Sequence, residues 1–341
     1  MAEGVEATDG VVRWGVLSTA RIGVGQVIPG MQRSPLCRIA AIGSRSIANA
    51  QKAAASLGIP RAYGSYEELL ADPAIDAIYN PLPNHLHVPW TIKAMEAGKH
   101  VLCEKPVALG AAEAGQLVDA RVRTGKLVAE AFMIRHTPWW QRVRTLVQDG
   151  ALGEVRAIQT FFSYFLEDQA DIRNQADIGG GGLMDIGCYA IASARYVLGQ
   201  EPTRVAALID HDPRSGIDRL TSALVAFPTT HLTFTCSTSA APCQRVVIVG
   251  TRARIEVLIP FNAPADTACR IRIDDGQDLS GAGAVIESFD PVDQYMLQGE
   301  AFSRAVLGQA PLEFPIEDAV QNMRIIEAIF AAAADGGWQP V

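Results

Sequence analysis

The sequence predicts an α/β protein with two domains: an N-terminal Rossmann domain with a doubly wound parallel sheet, and a C-terminal α+β domain with a large, mostly antiparallel open sheet. At roughly 150 residues per domain, 341 residues correspond to about two domains. The first 131 residues alternate strand-like and helix-like segments, as parallel strands with crossover connections require. After Pro138, strand patterns follow one another without helices. We therefore predict domains at 1–135 and 136–314, with a helix at 315–335 that packs back on the first domain.

Apolar runs and the residues that stop them define the N-terminal elements. Ser34 and Pro35 end the first helix, because the residue before a proline disfavours helical backbone. Ser65 and Glu68 form a capping box that begins a short helix. The predicted strands are Val11–Leu17, Arg38–Gly43, Ala77–Tyr79, His100–Cys103 and Leu127–Phe132. The other predicted helices are Arg21–Met31, Ile47–Leu57, Val88–Ala97 and Ala111–Thr124.

The C-terminal part begins with one amphipathic helix, Trp139–Gln148, and then becomes rich in strands. Its final apolar residues recur at helical spacing from Ile316 to Phe330, which predicts a terminal helix. The predicted strands are Val155–Phe165, Val205–Asp210, Leu220–Phe227, His231–Thr238, Val246–Gly250, Ile255–Ile259 and Cys269–Ile273. Few helices remain to cover the outer face of this sheet, so we expect a homodimer that pairs through it.

Composition narrows the classes of function. The formal net charge is −8, which argues against a protein that binds nucleic acid or an anionic membrane. No apolar run approaches the roughly 18 residues that a membrane span needs. The opening segment, Met1–Gly10, has three acids and no apolar stretch, unlike a secretory signal. Six cysteines without a CxxC pair are typical of free thiols, so we expect a cytoplasmic protein without disulfides or structural zinc.

The turn after the first strand is the expected site of a dinucleotide pyrophosphate. The usual GxGxxG pattern falls on Ser18, Ala20 and Gly23, so the match is poor. Small side chains still allow a phosphate to approach the backbone, and the alternative is an ordinary tight connection. The candidate phosphate-binding residues are Ser18, Thr19, Ala20, Arg21 and Ile22.

Charge near the second strand favours NADP(H) over NAD(H). No Asp or Glu occurs between Asp9 and Glu67, whereas this stretch contains seven Arg or Lys residues. An NAD site places an acid about 20 residues beyond the glycine turn, on the ribose 2′-hydroxyl. Here that place holds Ser44, Arg45 and Ser46, which suit a 2′-phosphate. The alternative is that Arg45 is a solvated residue at a helix start.

Three further segments carry a resemblance to a known family. They are the stretch Asn80–His87, the sequence Cys103–Pro106 with its Glu-Lys-Pro, and the glycine run with its Asp-Ile-Gly-Cys-Tyr, Gly179–Tyr189. In this order they resemble the glucose–fructose oxidoreductase/inositol dehydrogenase (Gfo/Idh/MocA) family over nearly the whole chain. Within it, the sequence is most similar to NADP-dependent aldose dehydrogenases and aldose–aldose oxidoreductases, with trans-1,2-dihydrodiol dehydrogenases close by.

The resemblance implies a set of site residues. Lys105 reaches the nicotinamide and the substrate, and the Lys105–Pro106 bond is cis. Tyr189 stands where polyol dehydrogenases of the family often have histidine, which argues against an inositol dehydrogenase. Arg173 and Tyr295 match positions that approach the cofactor from the second domain, with solvated side chains as the alternative. The other implied cofactor residues are Asn80, Pro81, Leu82, Asn84, His85 and Glu104.

The chemistry of Tyr189 and its neighbours fits this expectation independently. Asp185 and Tyr189 are four residues apart, so on a helix they share one face. A tyrosine becomes a usable base when a nearby lysine cation, here Lys105, favours the phenolate. Asp185 binds a substrate hydroxyl or orients the helix. The alternatives are a core aromatic for Tyr189, a surface residue for Lys105 and a helix-start acid for Asp185.

The function expected is NADP(H)-dependent hydride transfer at C1 of an aldose, in the oxidative or the reductive direction. The runner-up is a trans-1,2-dihydrodiol dehydrogenase, and a third possibility is a regulator that senses sugar or NADP without turnover. His85 and His87 have no acid or cysteine spaced with them, so no metal site is expected. The sugar, and whether NADP leaves in each cycle or stays tightly bound, remain open.

Overall fold

The computed structural model describes residues 10–341. The expectation for the opening segment therefore falls almost entirely outside the described residues. The chain forms two compact units. The first contains residues 10–133 and Gln294–Val320, and the second contains Ile134–Asp293 and Gln321–Val341.

The first unit is built on a six-stranded parallel sheet with the strand order β3-β2-β1-β4-β5-β6. Its strands are β1 (Val12–Leu17), β2 (Cys37–Gly43), β3 (Arg61–Tyr63), β4 (Ala77–Asn80), β5 (His100–Cys103) and β6 (Val128–Glu130). Its helices are α1 (Ile28–Met31), α2 (Ile47–Leu57), α3 (Tyr66–Leu70), α4 (His87–Glu96) and α5 (Ala111–Thr124). The order reverses between β1 and β4, and ligands of doubly wound sheets bind at the carboxyl ends of the strands at such a point.

Local signals explain most of these bounds. The Ser46 hydroxyl accepts from the Asn49 amide at the start of α2, and the Ser65 hydroxyl accepts from the Glu68 amide at the start of α3. The structure departs from the predicted first helix, which contains a π-helical segment, Gly23–Val27, before α1. The last strand, Val128–Glu130, is shorter than the predicted Leu127–Phe132, and a 3₁₀ turn follows it from Met133.

The second unit is built on a nine-stranded sheet with the strand order β14-β13-β12-β11-β7-β10-β9-β8-β15. Only the pair β7 and β10 is parallel among the described strands of this sheet, so the predicted fold class is confirmed. Its helices are α6 (Pro138–Gln148) and α7 (Cys188–Leu198). Its strands are β7 (Val155–Phe165), β8 (Arg204–His211), β9 (Asp218–Ala226), β10 (His231–Ser237), β11 (Ser239–Gly250), β12 (Arg254–Val257), β13 (Cys269–Asp274), β14 (Val285–Phe289) and β15 (Gln339–Pro340).

Helix α8 (Gln294–Val306) corrects the predicted domain boundary, because it groups with the first unit although 136–314 was assigned to the second domain. Its Phe302 ring lies 5.5 Å from the ring of Trp14, whose indole donates to the Ser303 hydroxyl at 3.2 Å. Only the first turn of helix α9 (Ile316–Asp335) belongs to this unit. Within residues 10–341, no helix combines the length and apolar character needed to cross a membrane.

Candidate active site

The turn after β1 takes its shape from a serine. Ser18 has φ +70°, and it is the one non-glycine residue with positive φ in the described part of the chain. Its amide donates to the Gly43 carbonyl at 2.8 Å, and its hydroxyl accepts from the Ala20 amide at 3.2 Å. Thr19, Ala20 and Ile22 are partly exposed and Arg21 is exposed. The turn therefore reproduces the glycine-type backbone with serine and remains open at a helix N-terminus, where anions are favoured.

Arg45 lies at the carboxyl end of β2, where the sequence predicted it. Its side chain is exposed, whereas the neighbouring Ser44 is buried and Ser46 caps α2. Burial raises the pKa of Tyr66, and the nearby Arg45 guanidinium offsets part of that rise. A cation with a serine on each side is thus available at the position that reads the ribose 2′-substituent in this fold.

Not all of the basic N-terminal segment is available to a ligand. Arg13 donates twice through its side chain to Asp76, at 2.8 and 2.6 Å, and Arg61 is paired with Asp72. Burial by itself would raise the pKa of Asp76, but the bonds from Arg13 outweigh it and lower that pKa. Two of the seven positive charges are therefore balanced by acids that follow in the chain. Within this segment, the exposed Arg45 is thus the cation that favours an anionic ligand.

The loop after β4 is held by side chains that the sequence analysis assigned to the cofactor or left aside. Asn80 is fully buried and donates to the His87 carbonyl and the Thr91 hydroxyl, both at 3.1 Å. Its side chain is enclosed by the protein, so Asn80 shapes the loop instead of facing a ligand. Pro81 and Leu82 are buried behind it.

His87 ties this loop to the Lys105–Pro106 segment. Its Nδ1 lies 2.8 Å from the Pro106 carbonyl oxygen and its Nε2 lies 2.6 Å from the Leu82 carbonyl oxygen. Burial lowers the pKa of His87 to about 4. The partly exposed Asn84 and His85 form a short 3₁₀ turn before it.

The Glu-Lys-Pro segment follows β5 at the same edge of the sheet. The Lys105–Pro106 bond is cis, as the resemblance implied. Glu104 accepts from the hydroxyl of the buried Tyr79 at 2.6 Å. Burial and the Glu104 charge hold the pKa of Tyr79 well above its ordinary value, so Tyr79 is a constant donor. The sequence analysis missed this tyrosine, since a buried aromatic in a strand gives no sign of a polar role.

In the second unit, the glycine run threads between groups that leave no space for side chains. A Cβ at Gly180 would lie 2.6 Å from the carbonyl oxygens of Arg173 and Gln175. Gly181 has φ +119°, and a Cβ there would lie 1.9 Å from Oδ1 of Asp218. The run leads into a π-helical segment, Leu183–Gly187, and then directly into α7.

Asp185 lies in that π-helical segment and not on the regular α-helix that the sequence predicted. Its carboxylate accepts from the Tyr164 hydroxyl at 2.5 Å and from Arg173 Nε at 3.2 Å. Arg173 also donates to Asp171 at 3.2 Å, and these charges raise its pKa. The guanidinium predicted to approach a cofactor is thus engaged by two carboxylates of its own unit. Tyr164 and Asp171 were missed, because nothing in their sequence spacing connects them to Asp185.

Tyr189, in the first turn of α7, is 5% exposed. Its ring lies 5.8 Å from the ring of Phe162 and 5.3 Å from that of Phe261. Phe162 and Tyr164 are two apart on β7 and therefore share one face of the strand. Asp185 and Tyr189 thus both face β7, one through Tyr164 and the other through Phe162.

Tyr295 departs from the sequence prediction. It lies on α8, partly buried against the apolar core of the first unit, and so does not approach from the second domain. None of the six cysteines forms a disulfide, and five of them are buried, including Cys188 beside Tyr189. Among residues 10–341, no group of three His, Cys, Asp or Glu side chains is arranged to hold a metal ion.

The first unit is a Rossmann sheet with an open turn after β1, and the second carries an acid and a tyrosine after a glycine run. These features together define a class of dinucleotide-dependent oxidoreductases. Residues 12–132 match the model of the oxidoreductase family with an NAD-binding Rossmann fold. Residues 140–256 match the GFO/IDH/MocA C-terminal domain. The chain therefore belongs to the GFO/IDH/MocA oxidoreductase family, which confirms the resemblance drawn from its motifs.

Similar proteins act on sugars or diols. D-xylose 1-dehydrogenase (NADP(+)) 2 from Haloferax volcanii is 40% identical over 95% of this chain and 98% of that protein. A trans-1,2-dihydrobenzene-1,2-diol dehydrogenase from Bos taurus is 30% identical over 75% of this chain and 76% of that protein.

Two solved structures share the fold over nearly the whole chain. The aldose-aldose oxidoreductase from Caulobacter crescentus, complexed with glycerol, has a TM-score of 0.89 and 27% identity, covering 97% of this chain and 100% of that one. A 3-ketoreductase from Actinomadura kijaniata, in complex with NADP and TDP-benzene, has a TM-score of 0.87 and 30% identity, covering 94% and 98%. Solved variants of that reductase replace a tyrosine by phenylalanine and a lysine by alanine.

Proposed function

We propose that this protein is an NADP(H)-dependent oxidoreductase that transfers hydride between nicotinamide C4 and C1 of an aldose. The proposal is carried by membership in an oxidoreductase family together with two residues of suitable chemistry, the cation Lys105 after β5 of the first unit and the phenol Tyr189 at the start of α7 of the second. The similarity to a xylose dehydrogenase and to an aldose-aldose oxidoreductase supports the substrate class.

The residues of the first unit fit a phosphorylated dinucleotide. The turn at Ser18 is open and has the backbone form that lets a pyrophosphate approach, and Arg45 supplies a cation for a 2′-phosphate. Ser44 and Ser46 add hydroxyl groups on either side. When bound, the nicotinamide group supplies or accepts the hydride.

The residues of the chain then move the proton. The Tyr189 phenolate takes the proton of the sugar hydroxyl during oxidation, and the phenol returns that proton to the carbonyl oxygen during reduction. The Lys105 cation favours the phenolate form, which makes tyrosine a usable base near neutral pH. Asp185, held by Tyr164 and Arg173, orients the helix that carries Tyr189 and binds a sugar hydroxyl. Glu104, held by Tyr79, fixes the segment that carries Lys105.

The direct test is the absorbance of the reduced nicotinamide in the purified protein, before and after a panel of pentoses and hexoses is added with NADP⁺ or NAD⁺. We expect turnover of at least one aldose with NADP⁺. Absorbance that is present at purification and changes with sugars would show retained cofactor. Binding of NADPH without turnover of any sugar, diol or sugar nucleotide would replace the enzyme by a sensor.

Cofactor choice has its own test in Arg45→Asp. Charge-assisted hydrogen bonds to a 2′-phosphate contribute about 1.5–3 kcal/mol, so the variant should lose roughly 10- to 100-fold of its preference for NADPH over NADH. Lys52→Asp is the matched control, since it makes the same change of charge at an exposed position of α2. Titration of both cofactors measures the ratio. Equal affinities of the wild-type protein for NADPH and NADH would contradict this part of the proposal.

A sugar-nucleotide ketoreductase is the second candidate, favoured by the likeness to a reductase solved with NADP and TDP-benzene. The dihydrodiol substrate of another relative is a third arm of the same panel. A keto sugar attached to a nucleotide, a free aldose and a trans-dihydrodiol, compared by kcat/KM, decide among them. An aldose preference supports the first proposal, and a preference of more than 10-fold for either other substrate overturns it.

We also propose a cytoplasmic homodimer that pairs through the outer face of the second sheet. Six cysteines that form no disulfide favour a reducing compartment. The sheet face carries a broad depression of about 820 Å³ with the exposed Leu208 and Trp338 at its border. Leu208→Arg should shift the dimer to a monomer in light scattering, and a wild-type monomer at micromolar concentration would refute the dimer.

A further inference from the structure

We propose that Asp218 is the positioning residue of the helix that carries Tyr189. Its buried carboxylate caps the N-terminal end of the π-helical segment Leu183–Gly187, and this cap fixes Asp185 and Tyr189 in place. The kinetic part of the inference rests on the proposed function, whereas its structural part does not.

Asp218 is the first residue of β9 and is 3% exposed. Its Oδ2 accepts from the Leu183 amide at 2.6 Å and from the Thr221 hydroxyl at 2.9 Å. The first amides of a helix have no partner inside the helix, and the residue before this segment, Gly182, has no side chain to accept from them. A carboxylate from a strand 35 residues farther along the chain therefore acts as the cap.

The glycine run is shaped around this carboxylate. A Cβ at Gly181 would lie 1.9 Å from Oδ1 of Asp218, and a Cβ at Gly182 would lie 3.2 Å from its carbonyl oxygen. At Gly181 the Asp218 side chain therefore leaves no room for a Cβ, whereas at Gly182 a Cβ would make a tight contact. This contact explains the glycines of the run, for which the proposed proton transfer by itself gives no reason.

The cap is connected to the candidate catalytic residues through the backbone. The Asp185 amide donates to the Gly181 carbonyl at 3.0 Å. A shift of Gly181 is therefore transmitted to Asp185 through this hydrogen bond. The segment then continues into α7, where Tyr189 is the second residue. Asp218 acts on Tyr189 through this backbone connection. His211, on the neighbouring strand β8, is paired with Asp218 in the register of the two strands.

The test compares Asp218→Ala and Asp218→Asn with Asp274→Ala. Asp274 is an equally buried carboxylate of the second unit, held by Arg254 and Arg272, so its loss matches the general cost of removing a buried acid. Hydrogen exchange of the peptides that cover 180–190 reads the cap without any assay of activity. We expect faster exchange in Asp218→Ala, wild-type exchange in Asp274→Ala, and near wild-type exchange in Asp218→Asn, which keeps an acceptor oxygen.

Steady-state kinetics measure how loss of the cap affects the candidate active site. Asp218→Ala should lower kcat by about 10- to 100-fold through misplacement of the tyrosine, with the affinity for NADPH unchanged. Asp218→Asn should restore kcat to within about 3-fold of the wild type. Where Asp218→Ala does not fold, Thr221→Val replaces it, since it removes the hydrogen bond that fixes the carboxylate.

Unchanged exchange at 180–190 in Asp218→Ala, or in Thr221→Val where that variant is used, overturns the cap. Faster exchange with an unchanged kcat overturns the link to the site. If the wild-type protein oxidises no sugar, the proposed function fails, but the exchange comparison still decides on the cap. The two failures are therefore distinguishable.

Discussion

The turn at Ser18 and the glycine run at Gly179–Gly182 each precede a helix, one in each unit, yet they are built in opposite ways. Each leads into a π-helical segment, Gly23–Val27 in the first unit and Leu183–Gly187 in the second. The first turn has serine in the left-handed region, and nothing lies within 4 Å of a Cβ at Gly25. The second is filled by the protein's own carboxylate, Asp218. Glycine is optional in the first and obligatory in the second.

The difference separates two uses of a helix N-terminus. In the first unit the end is left open, so its amides and dipole are available to a bound anion. In the second unit the end is already capped, so the helix becomes a fixed support for side chains farther along. We infer that the first turn binds the cofactor and that the helix after the glycine run carries the residue that transfers the proton.

The largest effect is expected from Tyr189→Phe, which removes the proton-transfer group from the capped helix and keeps the ring. Turnover should fall by roughly 10²–10⁴, the usual range for general acid–base catalysis, with the affinity for NADPH nearly intact. Tyr196→Phe is the matched control on α7, since it makes the same change at a tyrosine whose hydroxyl donates to the Arg135 carbonyl. If Tyr189→Phe oxidises sugar within a few-fold of the wild-type rate, Tyr189 is a packing residue.

The variants Gly181→Ala and Gly25→Ala together test whether the two segments are built in opposite ways. At Gly181 a Cβ meets Asp218 in a left-handed backbone, so the second unit should lose about 3 kcal/mol or more of its free energy of unfolding. At Gly25 the space is open, and the change should be within about 1 kcal/mol, because alanine is the better helix former. Urea unfolding of both variants measures the two costs. Equal costs would mean that the two turns are not built differently.

The sequence predicted what depends on periodicity and local caps. The bounds of α2, α5 and β5 agree with the predicted segments, because Ser46, Gly58 and Gly125 mark their ends locally. Arg45 was found at its predicted place for the same reason, since the distance from the turn after β1 to the end of β2 is nearly constant in this fold. Cis Lys105–Pro106 came from the resemblance alone.

The contacts between distant segments could not be predicted. Asp218 meets the glycine run across 35 residues, and Arg13 meets Asp76 across 63. Neither pair has a local pattern, because the fold alone brings them together. The π-helical segments were missed for a related reason: their apolar spacing is close to that of an α-helix. A wider turn then gave Asp185 partners, Tyr164 and Arg173, that its spacing from Tyr189 did not indicate.

A smaller effect, of known sign, is expected from the pH dependence of Asp218→Asn. Burial raises the pKa of Asp218 to about 6, against about 3.9 in an unfolded chain. The folded state thus holds this proton more tightly, and the stability that it adds below about pH 4 is lost as the pH rises through about 6. Asparagine does not titrate, so its stability relative to wild type should increase by about 2–3 kcal/mol from pH 4 to pH 7. Urea unfolding at both pH values gives the difference, and a constant difference would contradict the burial of a charged carboxylate in the run.

The smallest effect is expected from Ser18→Gly, which converts the open turn to the usual fingerprint. Glycine removes the cost of a left-handed non-glycine residue, about 1–2 kcal/mol. It also loses the hydroxyl bond to the Ala20 amide, about 0.5–1.5 kcal/mol, and adds backbone freedom to the unfolded chain. These contributions nearly cancel, so the free energy of unfolding should change by less than about 1 kcal/mol and NADPH affinity by less than about 3-fold. Ser18→Ala keeps the backbone strain but loses the hydroxyl hydrogen bond. It should therefore be the less stable of the two variants when both are compared by thermal unfolding. If Ser18→Gly instead abolishes NADPH binding, the hydroxyl itself binds the cofactor, and the turn is defined by its side chain and not by its backbone.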